Sequence, residues 1–151
     1  VDYYYNDYDE RTVSGVRNIY EKFKESNKTE KKFFNKDASE FSPDLKYETV
    51  FTCPPYFRKE EYTNKGTSTD KYPTYYDWIN KWWRKVIRNT NPSKYFAFVI
   101  DADLREDMSD VVEQEGYTFR EMRILGKSKS HFTRGRNEVL LIFDKGKKKK
   151  T

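Results

Sequence analysis

Apolar residues recur along the chain in two patterns, short runs and helical stripes, and the two kinds of segment alternate. Short apolar or aromatic runs predict strands, whereas apolar residues three and four positions apart predict amphipathic helices. The predicted strands are 1–5, 33–35, 47–52, 94–101, 118–125 and 137–143, and the predicted helices are 11–25, one that begins after Thr74, and 107–115. This alternation favours a three-layer α/β fold with a mostly parallel sheet.

Two features of the pattern predict how the elements are arranged. Residues 95–100 are all apolar or aromatic, which is typical of a strand buried on both faces, so we expect it inside the sheet. The last two predicted strands should pair antiparallel through a basic loop, with 137–143 also inside the sheet. The helix after Thr74 carries three tryptophans, which we expect in the core, with Trp83 partly exposed.

Aromatic residues must supply much of the core, because they make up 18% of the chain while charged residues make up 36%. The formal net charge is +5. Much of the excess lies in residues 145–151, which we predict to be a disordered basic tail following one folded domain, 1–144. Such a tail is either simply solvated or attracts a polyanion.

With a single cysteine the chain cannot form an intramolecular disulfide. One cysteine and one histidine also do not supply the clustered ligands of a cysteine or histidine metal site, so we expect no metal. No apolar run approaches the ~18 residues that span a bilayer. We therefore expect a soluble protein in a reducing compartment such as the cytoplasm. The chain begins at Val1, without an initiator Met and inside a predicted strand, so we also expect an upstream segment.

The segment that follows the third predicted strand carries the candidate chemistry. It reads Phe-Thr-Cys-Pro-Pro-Tyr-Phe over residues 51–57. A stiff Pro-Pro loop at the end of a strand lies at the edge where open α/β sheets bind ligands. Its carbonyls can accept hydrogen bonds in a fixed geometry, and the aromatic ring can stack on a base flipped out of a duplex. Pro-Pro-Tyr also occurs in WW-domain ligands, and a structural turn beside a buried Cys53 is a further alternative.

Residues 52–62, Thr-Cys-Pro-Pro-Tyr-Phe-Arg-Lys-Glu-Glu-Tyr, resemble a segment of the DNA methyltransferases that modify exocyclic amino groups. A phage and bacterial subgroup has Thr-Ser-Pro-Pro-Tyr-Phe-x-x-Glu-x-Tyr, and the similarity continues through 72–78 and extends from Tyr3 to Asp144. The resemblance implies a Rossmann-like class I methyltransferase fold. It also implies S-adenosylmethionine as cofactor, DNA as partner, and methyl transfer to the amino group of adenine or cytosine.

The resemblance assigns roles to this loop. The Cys53 side chain or carbonyl and the Pro54 carbonyl would accept hydrogen bonds from the target amino group, beside the rigid Pro55, and Tyr56 would stack on the base. Thr52 and Cys53 would also border the cofactor. Cys53 stands where the family has Ser, Asp or Asn and is a poorer acceptor, which affects rate and base preference.

Two acids at predicted strand ends match the cofactor-binding carboxylates of the family. Asp7 would accept hydrogen bonds from the ribose hydroxyls, and Asp37 would bind the adenine. The plain alternatives are a helix-entry acid for Asp7, with Asp9 near enough to compete for its role, and a turn acid for Asp37.

A basic loop between the last two strands is the candidate DNA contact. It could bind phosphates without reading sequence, or be a solvated hairpin loop, and His131 is more simply a loop residue than a general base. The nucleic-acid-binding candidates are Phe57, Lys127, Lys129, His131, Arg134 and Arg136.

The glycine-rich turn that opens this fold is not in the sequence, and the strand before it would lie between the strands ending at Asp7 and Thr52. We expect a sheet interrupted there. The chain would then be a fragment of the enzyme, would take the first strand from an N-terminal segment or a partner chain, or would have lost cofactor binding. The functional alternatives are a non-catalytic, methyltransferase-like nucleic-acid-binding or scaffold subunit and an unrelated α/β binding domain. RNA or protein as methyl acceptor stays open.

Overall fold

The computed structural model describes residues 3–23, 31–55, 71–127 and 137–146. The strands are β1 Tyr3–Asn6, β2 Lys31–Phe34, β3 Thr49–Thr52, β4 Tyr95–Asp101, β5 Tyr117–Lys127 and β6 Asn137–Lys145. The helices are α1 Glu10–Phe23, α2 formed by Tyr75–Asp77, Trp78–Trp83 and Arg84–Thr90, and α3 Arg105–Gln114, with short 3-10 turns at Ala38–Glu40 and Ala102–Leu104. The predicted alternation of strands and helices is confirmed.

The strands form two sheets. β1 pairs with β2 in parallel, and the other four strands have the order β3-β4-β6-β5. β3 is parallel to β4, whereas β6 is antiparallel to both β4 and β5. The predictions that the apolar run of β4 is internal, that β6 lies inside the sheet and that β5 and β6 pair antiparallel are confirmed.

The two sheets are separated at the predicted interruption. Among the described residues, β1 pairs with β2 alone and β3 with β4 alone, so each has one edge without a strand partner. Tyr3 on β1 and Phe51 on β3 are 46% and 63% exposed. Large apolar side chains therefore lie uncovered on the strands that border the gap.

The core lies between the four-stranded sheet and the helices α2 and α3, and aromatic rings fill most of it. Trp83 packs edge-on against Phe96 and Phe98, at 5.6 and 5.0 Å between ring centroids. Its indole N–H donates to the Met108 carbonyl at 3.1 Å. The expectation that Trp83 is partly exposed is wrong, since it is 0% exposed; this buried acceptor satisfies its polar atom and allows full burial.

Helix α2 contains a π-helical segment, Trp78–Trp83, that the sequence pattern does not predict. Its start is as expected, because the Thr74 hydroxyl accepts a hydrogen bond from the Asp77 amide at 3.1 Å. The wider π turn buries Trp82 as well as Trp78 and Trp83. Trp78 and Trp82 stack at 5.4 Å.

Strand β6 continues through Lys145, one residue into the predicted tail. The Lys145 ammonium lies 4.9 Å from the Tyr117 ring centroid and contacts the Asn91 side-chain oxygen. Residues 147–151 of the predicted tail lie outside the described residues. Within the described part of the chain, no helix is long and apolar enough to span a bilayer.

Candidate functional site

A cavity of about 130 Å³ opens at the carboxyl ends of β1, β2 and β3. It brings together three segments that are far apart in sequence and contain six predicted site residues, Asp7, Asp37, Thr52, Cys53, Pro54 and Pro55. The remaining lining residues are Asn6, Tyr8, Lys36, Ala38 and Trp82. Because the ends of β1 and β3 line the same cavity, both sheets present their carboxyl edges to it.

Amide side chains tie together the loops that follow β1 and β2. The Asn6 side chain donates to the Lys36 carbonyl at 3.1 Å and accepts from the Lys36 amide at 3.0 Å. Asn35 donates to the carbonyls of Asp7 and Tyr8 at 2.9 and 3.0 Å. These bonds fix the backbone on which Asp7 and Asp37 stand, so the two acids keep a set separation.

Asp7 has acceptor capacity left after its internal hydrogen bonds. Its Oδ1 accepts from the Asp9 amide at 2.8 Å, and its Oδ2 accepts from the Tyr5 hydroxyl at 3.2 Å. Burial, with the Asp7 charge as the next cause, raises the pKa of Tyr5 to about 12, so the hydroxyl stays a donor. A carboxylate offers about four lone-pair sites, so each oxygen of Asp7 can accept one more bond. Two adjacent acceptors suit a vicinal diol.

Asp9, the competing acid, is used elsewhere. Its Oδ1 accepts from the Arg11 amide at 2.8 Å at the start of α1, and its Oδ2 accepts from the Arg11 guanidinium at 3.1 Å. The hydrogen bond from the Arg11 side chain lowers the pKa of Asp9. Asp9 does not line the cavity. The geometry therefore favours Asp7 as the cavity acid.

Asp37 is both a turn acid and a wall of the cavity. Its Oδ1 accepts from the Ser39 amide at 2.9 Å, which begins the turn Ala38–Glu40. The same oxygen accepts from the Ser39 hydroxyl at 2.8 Å and from the Trp82 indole N–H at 2.9 Å. Its Oδ2 lies 3.8 Å from the Lys71 ammonium.

The Pro-Pro segment begins directly after β3, at the predicted edge of the sheet. Pro54 is buried and Pro55 half-buried, so both rings are held in place, while Cys53 is exposed at the cavity. The alternative of a structural turn beside a buried cysteine does not agree with this exposure. The loop backbone can thus present its carbonyls to a ligand in the cavity.

A comparison of the sequence with known protein families agrees with the geometry of this cavity. A profile of the DNA methylase family matches residues 47–151, more than half of the chain. The chain belongs to the DNA methylase family. This family uses S-adenosylmethionine. No curated protein sequence matches the chain.

Solved structures of methyltransferases have the same fold as this chain. N-methyltransferase NodS from Bradyrhizobium japonicum WM9 has a TM-score of 0.60 at 13% identity, over 95% of this chain and 73% of that one. An S-adenosylmethionine-dependent methyltransferase from Clostridium acetobutylicum ATCC 824 has a TM-score of 0.59 at 10% identity, over 97% and 76%. A putative RNA methyltransferase from Pyrococcus horikoshii has 0.57 at 14%, over 96% and 63%. The predicted class I methyltransferase fold is confirmed, and the chain spans about two thirds to three quarters of the length of these structures.

Sequence reasoning missed several residues that line the cavity, among them Trp82 and Tyr8. Trp82 was assigned to the core alone, although a buried indole N–H requires an acceptor, and that requirement was the available signal. Tyr8 belongs to no motif that would have identified it. Lys71 does not line the cavity, but its ammonium lies 5.9 Å from the Tyr8 ring centroid.

Other predicted site residues lie outside the described residues. They are Tyr56, Phe57, Lys129, His131, Arg134 and Arg136, together with the side chain of Lys127, the last residue of β5. Their roles stay predictions.

Proposed function

We propose that this chain is the part of a DNA amino-methyltransferase that holds the adenosine half of S-adenosylmethionine and the target-base loop. The observation that carries the proposal is the convergence of Asp7, Asp37 and the Pro54–Pro55 loop on one cavity. The substrate is the exocyclic amino group of adenine or cytosine in DNA.

The acceptor groups around the cavity fit the adenosine half of the cofactor. The unused lone pairs of Asp7 accept the two ribose hydroxyls, and Asp37 Oδ2 accepts an amino hydrogen of the adenine. Thr52 and Cys53 border the ligand. The cavity volume, about 130 Å³, is below the ~300 Å³ of a small complete ligand site, which supports binding of part of the cofactor.

The target-base loop acts by positioning. S-adenosylmethionine supplies an electrophilic methyl group when it is bound. The Pro54 carbonyl and Cys53 accept hydrogen bonds from the target amino group and orient its nitrogen lone pair. Pro55 stiffens the loop, and Tyr56 stacks on the extruded base. Orientation of reacting groups and fixed dipoles account for the rate, without a covalent intermediate on the protein.

Two further partners belong to the proposal. DNA phosphates bind the basic residues between β5 and β6, with Phe57 near the base. A parallel strand followed by a glycine-rich turn, from an N-terminal segment or a partner chain, fills the gap between β1 and β3. The unpartnered edges of these strands and the exposed Phe51 support this placement.

A matched pair of acids tests the proposal in the full-length parent protein. Labelled methyl transfer to DNA is measured, and the digested product is analysed for N6-methyladenine and N4-methylcytosine. Asp7→Ala should raise the KM for S-adenosylmethionine at least about tenfold, since it removes charge-assisted hydrogen bonds of ~1.5–3 kcal/mol. Asp9→Ala, which removes the helix cap two residues away, should leave that KM unchanged.

Two results would contradict the proposal. DNA binding by the parent without any methyl transfer would favour the scaffold alternative. Equal effects of the two alanine variants on KM would show that Asp7 is not at the ribose.

A further inference from the structure

The two carboxylate oxygens of Asp37 have different surroundings, although the residue as a whole is only 6% exposed. Oδ1 accepts three hydrogen bonds, two from Ser39 and one from the Trp82 indole. A carboxylate oxygen has about two lone-pair sites, so the capacity of Oδ1 is used up. Oδ2 accepts no hydrogen bond from the described residues. Asp37 is therefore left with one acceptor oxygen at the cavity.

Trp82 reaches Asp37 from a different part of the fold. Asp37 follows β2 of the two-stranded sheet, whereas Trp82 lies 45 residues later in α2, which covers the four-stranded sheet. The Trp82 ring is 3% exposed and stacks on Trp78 with an interplanar angle of 12°, so its orientation is fixed. It belongs to the π-helical segment, and such segments frequently occur at functional sites.

Lys71 supplies the counter-charge for the remaining oxygen. Its ammonium lies 3.8 Å from Asp37 Oδ2, and its side chain is 53% exposed. A half-solvated lysine without a short hydrogen bond is a weakly held partner. A ligand N–H can therefore replace it at Oδ2.

We propose that Trp82 is the positioning residue of the adenine subsite and determines its selectivity for a 6-aminopurine. Together with Ser39 it holds Oδ1, so that Asp37 presents Oδ2 to the ligand in one orientation. A 6-amino group donates to this oxygen, whereas the carbonyl of a 6-oxopurine places one acceptor against another. The inference rests on the proposed function, because it requires the adenine to lie at Asp37.

The test compares adenosine with inosine, which differ at position 6 of the purine. Dissociation constants are measured by NMR titration of the 151-residue chain, with the Trp82 indole signal assigned through Trp82→Phe. The wild-type chain should bind adenosine at least about tenfold more tightly, since a site built to accept a substrate N–H rejects an analogue without it. Trp82→Phe should lower this ratio at least threefold and leave inosine binding nearly unchanged.

Trp83→Phe is the matched control. It also removes a buried indole hydrogen bond from α2, but the acceptor is the Met108 carbonyl, away from the cavity. It should keep the adenosine-to-inosine ratio of the wild type. Ser39→Ala removes one donor from the same oxygen without changing the helix and should lower the ratio less than Trp82→Phe; it serves if the tryptophan variant does not fold.

The possible results distinguish a failure of the role of Trp82 from a failure of the adenosine subsite. An unchanged ratio in both Trp82→Phe and Ser39→Ala would overturn the role of Trp82 and leave the subsite in place. Millimolar nucleosides that leave the Trp82 indole signal unshifted would overturn the adenosine subsite itself, and this inference with it.

Discussion

Candidate site residues at the ends of strands could be predicted from the sequence, whereas their hydrogen-bond partners could not. Asp7 and Asp37 follow closely after apolar runs, and this position together with the family resemblance makes them candidates. The bond from Trp82 to Asp37 depends on how α2 packs over the sheet, which no local pattern encodes. The choice between Asp7 and Asp9 likewise required the cap geometry of α1.

The buried hydroxyl of Tyr117 affects how the stability of the fold depends on pH. Its hydroxyl is buried and has no hydrogen-bond partner among the described residues. Burial, followed by the nearby Tyr47 and Glu115, raises the pKa of Tyr117 to about 12 from 10.0. Because the folded protein favours the neutral hydroxyl over the phenolate, the free energy of unfolding falls as the pH rises from 10 toward 12.

We expect Tyr117→Phe to leave the free energy of unfolding unchanged at pH 7 or to raise it by about 1 kcal/mol, because an unsatisfied polar group is removed. The advantage of the variant should grow between pH 10 and 12. Urea unfolding at pH 7 and pH 11 measures both effects. A loss of more than about 2 kcal/mol at pH 7 would mean that the hydroxyl has a partner.

Tyr56 carries the prediction for the target base. Tyr56→Ala in the full-length parent should reduce methyl transfer far more than stability, because loss of base stacking costs about 1–3 kcal/mol. Tyr56→Phe keeps the stacking face and should retain most of the activity. Single-turnover rates and melting curves of the three proteins provide the measurement. An unchanged rate in Tyr56→Ala with a normal melting curve would show that the ring is structural.

At the scale of elements, the pattern predicts which segments are strands and helices better than it predicts their internal geometry. β5 and β6 each continue two residues beyond their predicted C-terminal ends, since ladder pairing extends these strands beyond their apolar runs, whereas β4 begins one residue later than predicted. The π segment of α2 was not predicted, because three tryptophans in six residues fit a regular buried helix equally well in sequence. In the structure, Trp83 of this segment packs against Phe96 and Phe98 of β4.

Ion pairs link helix α2 to the residue that follows α3. Glu115 accepts from Arg84 at 3.0 Å and from Arg88 at 2.8 Å. Burial favours the neutral acid, but the hydrogen bonds from Arg88 and Arg84 outweigh it, so the pKa of Glu115 is lowered from 4.5. Because the pKa of Glu115 is lower in the folded than in the unfolded protein, its carboxylate stabilises the fold at pH values above the unfolded pKa. This stabilisation is lost as the pH falls through the folded pKa.

Glu115→Gln should therefore lower the free energy of unfolding at pH 7 by about 1–2 kcal/mol, the range for a charged hydrogen bond that is partly exposed. The difference from the wild type should shrink as the pH falls from 5 to 3. Glu113→Gln, at an exposed position of the same helix, should have little effect at either pH. A Glu115 effect that does not depend on pH would contradict the ion-pair account.

For the whole molecule, the sequence predicted the position of the interruption in the sheet as well as the fold. The order β3-β4-β6-β5 and the separate β1-β2 pair leave the gap where a strand was expected between Asp7 and Thr52. Side-chain bonds from Trp82 and Asn89 to the turn after β2 join the two sheets across the gap. Those contacts could not be foreseen, because they connect segments that share no motif.

The gap leads to a prediction for cofactor binding. The isolated 151-residue chain should bind S-adenosylmethionine weakly, with a dissociation constant in the millimolar range or above. Under the proposed function, Asp7 and Asp37 would hold only the adenosine half, and the methionine half, which would rest against the glycine-rich turn, would stay in water. Each lost charge-assisted hydrogen bond removes about 1.5–3 kcal/mol, so two or three amount to several orders of magnitude in affinity. Unpartnered edges on β1 and β3 also allow the cavity walls to move, which lowers affinity further.

Calorimetry at millimolar cofactor measures the dissociation constant. Adding the proposed first strand and glycine-rich turn, from an N-terminal segment or a partner chain, should restore tight binding, whereas a micromolar constant for the isolated chain would mean that its own residues form a complete pocket.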